Sequence, residues 1–116
     1  MRVLIPVDGS ISCRNALDLL AARARRMQVK PEVTLINVQH PVPMGVMTQF
    51  GLDAVRAAAE KEAKGIFADL EGSLAVTELD PAEKIGFGIP GEVISKEADD
   101  EACDLIIMGA RGISPA

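Results

Sequence analysis

An apolar run, Leu105-Ile106-Ile107-Met108, breaks at Gly109 into a G-x-x-G spacing that closes at Gly112. Few folds accommodate this pattern. A strand inside a parallel sheet is apolar along its whole length, because helices cover both faces. Where such a strand empties into glycines, an open α/β sheet takes ligands outside the strand's carboxyl end. With no Cβ in the way, backbone N–H groups can approach a phosphate closely. The same spacing suits a tight turn, so both roles are open to Gly109 and Gly112. Arg111, between them, carries a fork of donors that fits phosphate. As an exposed loop arginine it would need no ligand.

The rest of the chain fits that kind of sheet. Arg2 to Val7 is short, apolar and β-branched, with Pro6 near its end, and stops at Asp8-Gly9-Ser10. It reads as a strand buried on both faces. From Ser12 to Gln28, Cys13, Ala16, Leu17, Leu20, Ala24 and Met27 recur at three- and four-residue steps, which predicts an amphipathic helix capped by Ser10 or Ser12. Val33 to Val38 is the second strand, and His40, Pro41, Pro43 and Gly45 mark a loop. A second helix is predicted over 52–70, with Gly72 ending it. A third strand falls mostly within 76–87. A third helix opens at Gly88-Ile89-Pro90-Gly91, and the fourth strand runs over 104–108. The order β-α-β-α-β-α-β implies right-handed crossovers, and therefore one α/β domain: an open parallel sheet with helices on both faces.

Composition removes several classes of function. With 116 residues, 48% hydrophobic and 25% charged, the chain is an ordinary globular domain. Its three Phe, without Trp or Tyr, provide no base-stacking platform for single-stranded nucleic acid. A net charge of -5 also argues against a nucleic-acid partner. The Arg23, Arg25, Arg26 cluster reads as a solvated helix end. Cys13, Cys103 and His40 have no metal-site spacing. No signal peptide and no membrane-length apolar run are evident, so a cytoplasmic location and no membrane partner are expected.

At the switch point of such a sheet, Asp8-Gly9-Ser10 and Gly109-Ala110-Arg111-Gly112 would meet if the first and fourth strands are neighbours, with Asn37-Val38-Gln39 beside them. Two roles are open to Asp8. Its carboxylate can orient a ribose hydroxyl or help hold Mg²⁺, or it can cap the first helix and shape an Asx turn. Cys13 reads as a core residue rather than a nucleophile. The thiol of Cys103 is expected to be raised by the charge of Asp104. His40 has no evident catalytic partner. Met44, Met47 and Phe50 form an apolar patch that can cover a neighbouring site or a partner, a local lid over the core being the simpler expectation. No general base, nucleophile pair or Walker-type lysine is visible, so catalysis beyond a weak ATPase is not expected.

In combination these residues resemble the universal stress protein family. The resemblance rests on Val3 to Ser10 as the opening strand and turn, Asn15-Ala16-Leu17 in the first helix, and Val33 to Val38. It rests further on Gly88-Ile89-Pro90 with Glu92-Val93-Ile94, and above all on Asp104 through Gly112. It covers essentially the whole chain. It implies an adenine-nucleotide-hydrolase-like sheet of order 3-2-1-4, a homodimer, and a role in stress tolerance. One branch of the family binds ATP. Carried over by position, Asp8 would sit by the ribose or phosphates, with Mg²⁺ held indirectly, and Pro6 and Val7 would lead to it. The backbone of Val38 would meet the adenine edge. Met108, Gly109 and Gly112, with Arg111, would line the phosphate side. The alternative is a dimeric stress protein that binds no nucleotide and acts through protein contacts. The family's motif continues into a Gly-Ser/Thr helix start and a fifth strand. Of it this sequence carries Gly109 and Gly112, so a partial phosphate cradle is expected, with nucleotide bound weakly or not at all.

Overall fold

The structure, a computed structural model, describes residues 1–109. Nine elements follow one another: β1 (Arg2–Pro6), α1 (Ile11–Ala24), β2 (Glu32–Gln39), α2 (Met44–Phe50), α3 (Leu52–Glu71), α4 (Leu74–Leu79), β3 (Ala82–Phe87), α5 (Pro90–Asp100) and β4 (Leu105–Ile106). The four strands form one parallel sheet in the order β3-β2-β1-β4. Chain order therefore reverses between β1 and β4. In β1 and β2 the pairing runs from Arg2 opposite Glu32 to Pro6 opposite Ile36, so both strands end at the same level. The amide of Val7 extends the ladder by donating to the carbonyl of Ile36 at 2.9 Å.

Successive residues of a strand face opposite sides, and here both sides are apolar. Val3, Ile5, Val7, Val33 and Leu35 pack under α1, α3 and α4, against Leu17, Leu20, Ala63, Phe67 and Leu70. Leu4 and Ile36 pack on the other face with Ile94 of α5, flanked by Val38, Val93 and Ala98. The two crossovers leading to β2 and β3 thus use one face, and the crossover from β3 to β4 uses the other. This is the right-handed arrangement expected when the chain winds both ways from its starting strand.

Four expectations from sequence change. Ala75-Val76-Thr77 is helical, within α4, and only Ala82–Phe87 is strand. Ser73 decides this: its hydroxyl accepts from the amide of Val76 at 3.1 Å, and Ala75 is buried against the core. The α4 helix stops at Asp80, whose backbone is left-handed. The first helix ends at Ala24 rather than Gln28, because Arg26 and Met27 donate to carbonyls three residues back. Lys30 meets the carbonyl of Ala24 at 2.8 Å, which satisfies one of the helix's terminal acceptors.

The expected loop after His40 contains the seven-residue helix α2, and none of its residues is buried. Met44, Met47 and Phe50 are exposed and do not form a lid over the core. Finally, β4 is regular only at Leu105–Ile106, though Asp104 and Ile107 still donate to Arg2 and Leu4 at 2.8 and 3.0 Å. Leu105 and Ile106 are 42% and 38% exposed, so this apolar strand is not buried. Among the described residues it has a neighbour, β1, on one side only.

Candidate functional site

The carboxyl ends of β1, β2 and β4 enclose a cavity of about 400 Å³. Its position is the one at which open α/β sheets take ligands, where strand order reverses. The sequence turns sharply there. Gly9 has φ +83, a left-handed conformation that residues with a Cβ rarely adopt. Asp8 closes the turn: its carboxylate Oδ1 accepts from the amide of Ser10 at 2.9 Å. Ser10 is the N-cap of α1, accepting from the amide of Cys13 at 3.2 Å. The Asx turn and the cap account for local roles of Asp8 and Ser10, and both residues also line the cavity.

Asn37 ties the two central strand ends together. It is buried, its Nδ2 donates to the carbonyl of Val7 at 2.8 Å, and its Oδ1 accepts from Gln39 Nε2 at 2.6 Å. An amide with partners on both sides stiffens the floor of the cavity. Val38 and His40 follow along the same edge. The opposite wall comes from α5, through Pro90 and Ile94. At the start of α5 the N-cap is Ile89, which has no side-chain hydrogen bond to offer, and Pro90 occupies the first turn. The amino ends of α1 and α5 therefore both border the cavity, each with the partial positive charge of a helix start.

Six of the residues singled out from sequence lie together here: Pro6, Val7, Asp8, Val38, Met108 and Gly109. Arg111 and Gly112 lie outside the described residues. Gly109 has a packing role. A Cβ at this position would lie 2.6 Å from the carbonyl carbon of Ser12 and 2.7 Å from the amide nitrogen of Cys13. The end of β4 thus rests directly on the backbone of α1's first turn, and no side chain fits between them. A side chain at Gly109 would therefore disturb the packing of β4 on α1 as well as any phosphate contact.

Sequence reasoning treated Cys13 only as core, put His40 in a loop, and gave α5 no part in the site. Cys13 is buried, and burial pushes its thiol up, against the lowering effect of hydrogen bonds from the backbone of Asp8 and Gly9. It is thus a poor nucleophile at neutral pH. The Cys103 thiol is also raised, but burial is the leading cause and Asp104 contributes least. Among the described residues no three His, Cys, Asp or Glu side chains gather as a metal site. No described helix is long and apolar enough to cross a membrane.

Parallel order β3-β2-β1-β4, with helices on both faces and a cavity at the point of reversal, defines the class: an open α/β domain of the doubly wound kind. The family model described as "Universal stress protein family" matches residues 1–116, and the chain belongs to that family. Among solved structures it is similar to hypothetical protein MJ0577, at 28% identity and a TM-score of 0.75, over 99% of this chain and 78% of that one. It is also similar to universal stress protein UspA from Lactobacillus plantarum, at 22% identity and a TM-score of 0.72, over 98% and 79% of the two chains. A universal stress protein in complex with cAMP matches at 21% identity and a TM-score of 0.50, over 91% and 69%. At the identities of these last two, the likeness speaks for the fold alone. No curated protein matches the chain.

Proposed function

We propose that this universal stress protein binds an adenine nucleotide, ATP with Mg²⁺, in the cavity at the carboxyl ends of β1, β2 and β4. It would act as a nucleotide-responsive module of a stress response rather than as an enzyme. The observation that carries the reading is the convergence of Pro6, Val7, Asp8, Val38, Met108 and Gly109 on one cavity at the switch point. A volume of about 400 Å³ lies in the range of small-molecule sites. Apolar Ile36 and Ile94 suit a base, with the Val38 backbone at its edge. Asp8 and Ser10 suit a ribose, and the amino ends of α1 and α5 suit phosphates. Asp8 is the lining carboxylate that would help hold Mg²⁺ indirectly, through water, while ATP phosphates would ligate the ion together with further waters. The nearby solved universal stress protein in complex with cAMP is in keeping with an adenine ligand.

Nucleotide at about 100 times its dissociation constant should stabilise the protein by roughly 2.7 kcal/mol, which a melting experiment reads directly. No shift with ATP, ADP or cAMP at any concentration up to millimolar would contradict the proposal. A cytoplasmic location and association with a second copy of the chain belong to the same proposal. Among the described residues β4 has a free side, and with exposed Leu105 and Ile106 it favours self-association. Light scattering over a wide concentration range tests it, and a monomer throughout would refute it.

The second reading, a stress protein that works through protein contacts without nucleotide, is favoured by α2. This helix carries no charged side chain, and Met44 and Phe50 are 82% and 61% exposed. Loss of partner binding in Met44→Ser/Phe50→Ser, with no nucleotide response in the parent protein, would select it.

A further inference from the structure

One wall of the cavity is a single helix, and what holds that helix in place lies outside the cavity. Pro90 and Ile94 of α5 line it, yet the α5 N-cap, Ile89, makes no side-chain hydrogen bond. Ile94 packs with Leu4 and Ile36, which keeps α5 on the sheet. Apolar packing of this kind is non-directional, so it resists withdrawal better than sliding or rotation. Direction comes from β3. Its register sets Lys84 opposite Ile36 and Gly86 opposite Val38, two of the lining residues. Lys84 and Gly86 are two residues apart and share one face of the strand, the face toward α5. At Gly86 a Cβ would lie 2.7 Å from Val93 Cγ1, so strand and helix are in close contact there. Lys84 Nζ donates to a carboxylate oxygen of Glu97 and, at 2.8 Å, to Glu101 Oε1. These two carboxylates are one turn apart on α5, and a single ammonium bridges them. Arg2 of β1 adds a bond from Nη1 to the Glu101 carbonyl at 2.8 Å. Along the helix axis Glu97 is only about 4.5 Å from Ile94.

We infer that Lys84 is a positioning residue of this site: by bridging Glu97 and Glu101 it fixes α5 along its axis, and with it the Pro90 and Ile94 wall against which the nucleotide sits. This rests on the nucleotide-binding reading above. Lys84 is not itself a lining residue, so it acts through α5. The Lys84 and Glu97 side chains are 40% and 19% exposed, and solvent screens the bridge in part. Its bias on the helix is therefore capped at about fivefold, the equivalent of about 1 kcal/mol. A loss of that size leaves the protein folded and changes affinity measurably.

The test measures MgATP affinity of the full chain by calorimetry, at a temperature where the amide NMR spectrum shows each variant folded. Lys84→Met and Glu97→Met/Glu101→Met break the same bridge with opposite changes of charge. Charge alone would weaken binding of the anion in the first and tighten it in the second. Positioning predicts that both bind about two- to fivefold more weakly than the parent. Without ligand, both variants should also shift the amides of Gly91 and Ile94, because the helix moves as a unit. Tighter binding by Glu97→Met/Glu101→Met overturns the inference, as does parent affinity in either variant or unmoved Gly91 and Ile94 amides. Each of these results leaves the nucleotide reading standing. Failure of the parent chain to bind MgATP overturns that reading, and this inference with it.

Discussion

Replacing Gly109 with Ala is the sharpest perturbation of the joint between sheet and site. The added methyl would lie 2.6 Å from the carbonyl carbon of Ser12, 2.7 Å from its oxygen and 2.7 Å from the amide nitrogen of Cys13. These are backbone atoms of α1, and no rotamer change moves them aside. Either β4 withdraws from β1, losing the bond from Ile107 to the Leu4 carbonyl, or the first turn of α1 shifts and disturbs the Ser10 cap. Overpacking of this kind costs about 1–3 kcal/mol. For a domain near this size that lowers the melting temperature by about 4 °C for each kcal/mol. Urea denaturation without ligand measures it, as a lower midpoint at unchanged slope. Gly65→Ala is the matched control. It sits exposed in the middle of α3, with nothing within 4 Å of an added Cβ, and should stabilise by about 0.5–1 kcal/mol. Equal midpoints for Gly109→Ala and the parent would refute the packing role.

Asn37→Ala should cost about 1–3 kcal/mol in urea denaturation, because the buried carbonyl of Val7 loses its side-chain donor. Stability should also fall in acid. Lys84 and Arg25 hold the carboxyls of Glu101 and Glu78 below the usual carboxylate range, so their contribution is present above that range and is lost as pH drops through the lowered values. Lys84→Gln should flatten that acid slope, and an unchanged slope would remove Glu101 as a cause. Both thiols should react more slowly with a thiol-specific disulfide reagent in the native protein than in denaturant at the same pH, because burial raises Cys13 and Cys103 alike.

The sheet was legible because its signals are local. β1 and β2 are apolar runs that stop at Asp8-Gly9-Ser10 and His40-Pro41, and α1 follows from the spacing of Cys13, Leu17 and Leu20. What escaped depends on contacts far apart in sequence. Ala75-Val76-Thr77 has strand-like residues, yet the Ser73 cap and the burial of Ala75 make it helix. The apolar Leu105-Ile106-Ile107 run reads on its own as a buried strand; that β4 lies at an edge follows only from its place after β1 in the strand order. Gly86 and Gly109 illustrate a further limit. A glycine that makes room for Val93, or for the backbone of α1, looks in sequence like one that makes room for phosphate. On the site, the strand-end residues were readable from the switch-point rule. The α5 wall was not, since only the crossover from β3 to β4 brings Pro90 and Ile94 over the ends of β1 and β2.

Backbone amide NMR during titration with MgATP tests the central claim most directly, because it detects weak binding and locates it. The account predicts saturable shifts centred on Val7, Asp8, Val38, Met108 and Gly109, spreading to the first turns of α1 and α5. Absence of shifts at millimolar MgATP would contradict it. So would shifts confined to the groove between α1 and the α3–α4 junction, around Arg14, Asp69 and Ser73.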